Sequence, residues 1–474
     1  MFCNSTITDL FLFVFTQLIL HYRVTTKEHY FIKKETKFDE EKYRLKLQKE
    51  NIQTFLNDMK RIDREQGIIL EKKGWKFKEN AKRRVMFTIG DIPLSRRCYE
   101  KNGVRRYPLD EYLGLKPYSR YSEELYFIMA TTVLDLSCRA AASYFQNMFH
   151  LDISKDAIHK ARKWATQLYK EREEYRFYEE GSIVTKREVS TLYLEGDGLL
   201  ISTPDLPNGI KKTDFSHFLV HEGIEEEYAH RGKAVQKHEI WTESNLKSRE
   251  QVVDYLYNHY KFTENTLLIT NSDMGHGYTP KIFKEIAETF SCKHIHFWDR
   301  AHLNKEITEI MTPFPEEYKE KLFYAIARHD KKKARKVLKA AKKMIPIEEG
   351  KFYKKFVKFS SKLQRNFEYT KSPEMRGISS VGIGIMESNH TKLSYRMKKQ
   401  ARHWSVEGAL TVGKMIIDRA EGKLRDLFFG NWRQIYQKYK SLDDLRVSQF
   451  LKPVHVQQGI RQVRQANKYG SRRY

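Results

Sequence analysis

The stretch Thr191-Leu-Tyr-Leu-Glu-Gly-Asp-Gly-Leu-Leu-Ile201 decides how the chain is read. Leu192, Tyr193 and Leu194 before the interruption, and Leu199, Leu200 and Ile201 after it, give the apolar content of a core strand. Asp197 sits in the middle, between Gly196 and Gly198. A charge inside a core strand costs several kcal/mol unless something compensates it, and a metal ion is the usual compensation. The flanking glycines would let a backbone, a metal or a phosphate come close. The other reading is a tight turn between two short strands, with Asp197 exposed.

Downstream the pattern is α/β. Extended segments near 216–224 and 234–244 precede a helical stretch over about 246–261. The strand Thr266 to Thr270 ends in Asn271-Ser-Asp-Met-Gly-His-Gly277. A helix from Pro280 to Phe290 follows, then the strand His294 to Trp298, which runs into Asp299-Arg-Ala-His302 and another helix. This order (three strands, helix, strand, helix, strand, helix) is that of a ribonuclease H-like fold, whose first strand carries a catalytic Asp. Alternating strands and helices fit other α/β folds as well.

Phosphodiester chemistry with Mg²⁺, or Mn²⁺ as a substitute, needs two or three carboxylates holding metals about 4 Å apart. Asp197 fits the first place. Asp273, just past its strand, fits the second, and Asp299 competes with it because both end strands. Glu387, at the start of a predicted helix in "GIMESNHTKLSYRMKKQARHW", fits the third. The interval from Asp273 to Glu387 is too long for a bare core and implies an inserted domain. Residues 303–376 supply it as a basic helical block, with Lys331 to Lys336 and Lys351 to Lys362 interleaved with Phe352, Tyr353, Phe356 and Phe359. Such blocks are solvated faces or backbone-tracking grooves. Arg396, Lys399 and Arg402 would meet DNA phosphates or form an ordinary basic helix face. Trp404 reads as core, and His276, His294, His296 and His390 as packing or surface residues rather than zinc ligands.

The chain has 474 residues, 40% of them hydrophobic, and a net charge of +26. That charge argues for a polyanionic partner, most simply nucleic acid. Cys3, Cys98, Cys138 and Cys292 lie far apart, which argues against a zinc ribbon or a disulfide framework and fits a reducing cytosol. Residues 1–38 form an extension. Its apolar run Leu10 to Leu20 is broken by Thr16 and Gln17 and falls short of the roughly 20 residues a membrane span needs. Neither a signal peptide nor a membrane span is expected, and the protein is placed in the cytoplasm, at the nucleoid.

The remaining segments are read as follows. Residues 39–84 form an amphipathic helical segment with Ile52, Phe55, Leu56, Met59 and Ile62 on one face. Residues 85–120 are a small basic strand-rich unit with a turn at Asn102-Gly103; Arg96, Arg97, Arg105 and Arg106 there touch phosphates or decorate a solvated hairpin. Residues 121–171 resemble a helix-turn-helix, with Ser154 as N-cap and Lys155, His159, Lys160, Arg162 and Lys163 offered to DNA. Residues 172–190 read as a linker, 191–302 and 377–428 as the two parts of the core, and 429–474 as a basic tail.

"YLEGDG", "NSDMGHGYTPKIF", "HFWDRAHLNKEI" and "GIGIMESNHTKLSYRMKKQARHWSVEGAL" are similar to bacterial insertion-sequence transposases of the ISLre type, distant relatives of Mutator-type transposases. The resemblance runs from about residue 40 and is strongest over 191–410. It implies an Asp-Asp-Glu transposase whose catalytic metal ligands are Asp197, Asp273 and Glu387. Mutator-type enzymes also carry a Cys/Asp-x-x-His element, which Asp299-Arg-Ala-His302 matches in its Asp form. At i and i+3 those side chains share a helix face, so His302 could touch a phosphate, orient a ligand or take a proton. The implied activity is Mg²⁺-dependent cleavage at the element's terminal inverted repeats and joining of the 3′-hydroxyl to target DNA, by a dimer or higher assembly. A nuclease or resolvase with the same core, or a DNA-binding protein without chemistry, are the alternatives. The apolar extension at 1–25 departs from the family pattern.

Overall fold

The computed structural model describes residues 38–179, 185–204, 211–228, 231–346, 350–399 and 402–441. The apolar run Leu10 to Leu20 and the end of the tail lie outside these. The chain divides into two compact units. One runs to Val85 and takes in Ile89–Lys116; the other comprises Met86–Thr88 and the chain from Pro117.

In the first unit a helix spans Glu40–Lys72, N-capped by Asp39, whose carboxylate accepts from the Lys42 amide at 3.0 Å. Strands β1 (Lys76–Phe87), β2 (Gly90–Lys101) and β3 (Val104–Arg106) form a sheet in that order. Asn102 and Gly103 turn the chain between β2 and β3 with positive φ of 52° and 79°, the conformation such a two-residue turn requires. Of the arginines offered to phosphate, Arg96 is nearly buried and pairs, together with Arg83, with Asp110. Arg105 stays exposed, and Arg106 is half-buried and paired with Glu111.

The second unit is built on a five-stranded mixed sheet. Chain order brings β4 (Arg187–Glu188), β5 (Thr191–Ser202), β6 (Lys212–His221), the hairpin β7 (Ile224–Tyr228) and β8 (Arg231–Ala234), β9 (His238–Thr242), β10 (Tyr260–Lys261), β11 (Leu267–Ser272) and β12 (Lys293–Trp298). The main sheet has the order β12-β11-β5-β6-β9. β5, β6 and β9 are antiparallel neighbours; β11 runs parallel to β5, and β12 parallel to β11. β5 continues unbroken through Gly196-Asp197-Gly198, so the tight-turn reading of that stretch is excluded.

Side chains alternate across a strand, and this sorts β5 into two faces. Leu192 and Leu194 join Phe218, Val220, Val252, Leu256 and Phe283 in one core, under the helices Asn245–His259 and Pro280–Thr289. Leu199 and Ile201 point the other way, with Phe215 and Trp241, into a core completed by the helix Val406–Ala420. Tyr193, Glu195 and Asp197 share the parity of Leu199, and so lie on that second face.

The helices Glu123–Thr132, Cys138–Phe149 and Lys155–Glu179 pack into the same core rather than standing apart from it, through Met129, Phe145, Ile158, Ala161 and Leu168. Ser154 caps the last of them as expected, accepting from the Ala157 amide at 3.2 Å. That helix runs on into the stretch read as a linker, because Tyr175 is buried in the core.

The basic block forms its own helical layer over Glu316–Ala327, Lys331–Lys343 and Gly350–Arg365. Leu322, Leu338, Phe356, Phe359 and Leu363 form its core, and most of its lysines face outward, Lys362 being half-buried. Phe356 and Phe359 are therefore core residues, not a base-stacking surface.

Gly413 shows how closely helix and sheet meet. A Cβ there would lie 2.2 Å from Trp241 Nε1. Gly413→Ala is expected to destabilise the protein by roughly 1–3 kcal/mol through overpacking, read as a drop of several degrees in thermal melting. An unchanged melting temperature would contradict this packing.

Candidate active site

Asp197 lies at the centre of β5, 9% exposed. Its register partner on β6 is His217. On the other side Ser272, the last residue of β11, pairs with Gly196, so Asp273 leaves the sheet beside Asp197. The two glycines answer to packing. A Cβ on Gly196 would meet the rings of Phe218 and Tyr278 at 2.7 and 2.9 Å, and one on Gly198 would meet Asp214 Oδ1 at 2.9 Å. Gly198 also donates its amide to Asp197 Oδ1 at 2.7 Å.

Asp273 sits in a tight loop. Its Oδ1 accepts from the Gly275 amide at 2.7 Å, and Met274 and Gly277 take positive φ of 60° and 90°. Lys362, from the inserted helices, donates to the Asp273 carbonyl at 3.3 Å and pairs with Glu306 at 3.1 Å. The inserted layer thus braces the loop that carries the second acid.

Glu387 stands in the first turn of the helix Met386–Met397, with a side chain 60% exposed. His302 Nε2 lies 3.9 Å from Asp197 Oδ2 and 3.9 Å from Glu387 Oε2. One ligand atom each from Asp197, His302 and Glu387 fall within 4.8 Å of one another. The structure therefore gathers Asp197, Glu387 and His302, with Asp273 adjoining.

Asp299 is the N-cap of the helix Arg300–Met311. Its Oδ1 accepts from the His302 amide at 2.9 Å and faces the ring Nδ1 at 3.2 Å, while Oδ2 accepts from Asn271 at 3.0 Å. Asp299 is thereby committed to orienting His302. The arrangement, with a carboxylate behind the imidazole and Nε2 aimed at the acids, is the one that fixes a histidine's tautomer and direction.

Burial is the main cause raising the Asp197 carboxyl to about 7, and the neighbouring charge of Asp273 adds to it while His302 opposes. The hydrogen bond that His302 donates to Asp299 raises His302 to about 9; burial opposes, and the Asp197 charge reinforces. At neutral pH an imidazolium thus faces clustered carboxylates that want a cation.

Three residues that the sequence did not single out support this corner. Glu195, 1% exposed, accepts from the amides of Gly384 at 2.6 Å, Ile385 at 3.3 Å and Met386 at 2.8 Å. Burial raises it to about 7 against those hydrogen bonds. His217 Nε2 lies 3.0 Å from Glu239 Oε2, and its Nδ1 3.3 Å from Nδ1 of His390. His390 Nε2 comes within 3.9 Å of Asp197 and is pushed down to about 3, chiefly by burial. His390 is thus a packing residue, as read, but one packed against the site. Glu195 carried a signal in retrospect: a second carboxylate at i−2 of Asp197 on the same strand face.

Of the residues offered to DNA, Lys155, Lys160 and Lys163 are exposed along one helix, and Lys399 is exposed. Arg402 is half-buried. Arg162 is buried, and so is Arg396, which donates to the carbonyls of Val133 at 2.6 Å and Leu136 at 3.0 Å and lies over the Trp404 ring. Those two arginines serve packing, because their helix faces turn inward.

The fold and site define a mixed α/β protein with an acidic cluster gathered at the middle of its central strand. The chain belongs to the uncharacterised protein family UPF0236, whose model matches residues 31–433. It is 26% identical over 381 residues to the "UPF0236 protein in vanSb 3′region" of Streptococcus gallolyticus, covering 79% of this chain and 80% of that one. A UPF0236 protein of Caldanaerobacter subterraneus subsp. tengcongensis is 24% identical over 424 residues, covering 86% and 82%, and its name joins eleven locus labels. Among solved structures, the Drosophila P element transposase strand transfer complex matches with 12% identity, over 74% of this chain and 93% of that one. The TM-score is 0.23, too low to bear on the fold. Among the described residues no helix is long and apolar enough to cross a membrane.

The raised His302 links to stability. Its folded value of about 9 lies above the ordinary 6.5, so its contribution is full below about pH 6.5 and is lost as pH rises through about 9. In metal-free buffer, the melting-temperature difference between wild type and His302→Asn is expected to shrink across that window. A constant difference would contradict the imidazolium assignment.

Proposed function

We propose that this protein is a DNA transposase. It would cleave the ends of its own mobile element and join the 3′-hydroxyl to target DNA. One observation carries the reading: Asp197, His302 and Glu387, from three distant parts of the chain, offer ligand atoms within 4.8 Å of one another, and Asp273 leaves β11 beside Asp197. The strand order β12-β11-β5-β6-β9, with the first acid on the central strand, supports a ribonuclease H-like core. The net charge of +26 suits a polyanionic substrate. A relative whose name joins eleven loci of one organism fits a multicopy element.

The donor set suits Mg²⁺, with Mn²⁺ as substitute. It consists of hard carboxylate oxygens, and burial has left Asp197 short of a counter-charge. Asp197, Asp273 and Glu387 would hold the ion, Asp299 being occupied by His302 and Asn271. When bound, Mg²⁺ supplies charge neutralisation at the phosphate and activation of the attacking oxygen. The chain's own part is positioning and electrostatics. Asp299 holds the His302 proton on Nδ1 and aims Nε2 at the acids, where the imidazolium can donate to a phosphate oxygen. Lys155, Lys160, Lys163, Lys399 and Arg402 are assigned to DNA phosphates. Because two element ends must be held together, a dimer or higher assembly on DNA in the cytoplasm, at the nucleoid, is part of the proposal.

The test incubates purified protein with a labelled DNA carrying the element's end, a target plasmid and Mg²⁺. Cleavage and a joined product are expected from wild type. Losses on the order of 10³-fold are expected in Asp197→Asn, Asp273→Asn and Glu387→Gln, as removal of several kcal/mol of charge stabilisation implies. Cleavage without joining would indicate a nuclease, and tight binding with no cleavage a DNA-binding protein.

A further inference from the structure

We propose that Glu195 is the positioning residue for Glu387, fixing the third acid through the backbone of its helix. The inference rests on the reading of Glu387 as a metal-holding acid. Glu387 is exposed, and His302 Nε2 lies 3.9 Å from its carboxylate. Its location therefore follows from the path of the chain just before it. That path is set by Glu195. Gly384 takes a positive φ of 83° and Ile385 a right-handed conformation, so successive amides turn toward one point. Backbone N–H groups in such a turn make an anion-binding concavity, and the N-terminus of the following helix adds to it. The anion is internal: the Glu195 carboxylate takes the amides of Gly384, Ile385 and Met386.

Glu195 and Asp197 are two apart on β5 and share a face. The strand that carries the first acid thus also holds the helix that carries the third. A second attachment lies one turn on, where His390 meets His217, which is itself held by Glu239. Glu239 is in turn paired with Lys237 at 2.7 Å. The helix is fixed at both points, and Glu387 projects between them.

The experiment measures Mn²⁺ binding to the full chain by electron paramagnetic resonance, alongside amide hydrogen exchange over residues 384–388 and circular dichroism. Glu195→Gln keeps the shape but sets an NH₂ group against the amides. It is expected to fold, to exchange those amides at least about tenfold faster, and to bind Mn²⁺ roughly 10–100-fold more weakly, as loss of an outer partner of a ligand does. Raising Mn²⁺ should restore much of its DNA cleavage, which a purely structural lesion would not allow. Gly384→Ala, strained at positive φ, opens the same turn while leaving Glu195 in place; it is expected to weaken Mn²⁺ similarly and decides the matter should Glu195→Gln not fold. A folded variant with altered exchange but wild-type Mn²⁺ affinity overturns the positioning role. Wild type that binds Mn²⁺ through Asp197 yet leaves DNA intact overturns the transposase reading alone. Wild type that binds no Mn²⁺ overturns both.

Discussion

The carboxylate of Asp197, held in the interior of a core strand, is the constraint to which the surrounding structure responds. A buried charge must be paired, hydrogen-bonded or neutralised. Here the amide of Gly198 supplies one hydrogen bond and His302 supplies a facing positive charge at 3.9 Å. Asp299 exists in that role to hold His302, and Asn271 to hold Asp299. What remains is a carboxylate still raised by burial and by Asp273. Such an excess of acid is tolerable in a site that meets a cation and is hard to account for in a site built for stability alone.

The sheet face explains why these groups can meet at all. The acids lie on the face roofed by the helices Met386–Met397 and Val406–Ala420, while the opposite face is filled by aliphatic and aromatic side chains. Glycine is needed at 196 and 198 because Phe218, Tyr278 and Asp214 occupy the space a side chain would take. The closeness is between layers of the protein itself. The inserted helical layer contributes differently: it has its own core, and its Lys362 reaches the backbone of Asp273.

Much of this was legible in the sequence, and the reasons are local. Runs such as Thr191 to Ile201 and Leu267 to Ser272 have the apolar content of buried strands, and an acid in or just after them stands out against it. Asp299 and His302 were legible because Asp299-Arg-Ala-His302 matches the Cys/Asp-x-x-His element of the family the sequence resembles, and i, i+3 spacing then puts the two side chains on one helix face. Burial that depends on tertiary packing was not legible. Arg162 and Arg396 look like DNA-facing cations in sequence, yet their helix faces turn inward. Glu195 was overlooked because its partners are backbone amides nearly two hundred residues away, and amides carry no sequence signature. The chain His390–His217–Glu239 escaped for the same reason, since each contact crosses between elements.

The measurement that bears most directly on the account is a crystal structure of the full chain grown with Mn²⁺, with anomalous diffraction recorded at the manganese edge. The account predicts an anomalous peak bonded to Asp197 with Asp273 and Glu387 around it, and His302 still held by Asp299. A peak elsewhere, or none while the three acids keep their present arrangement, would contradict it.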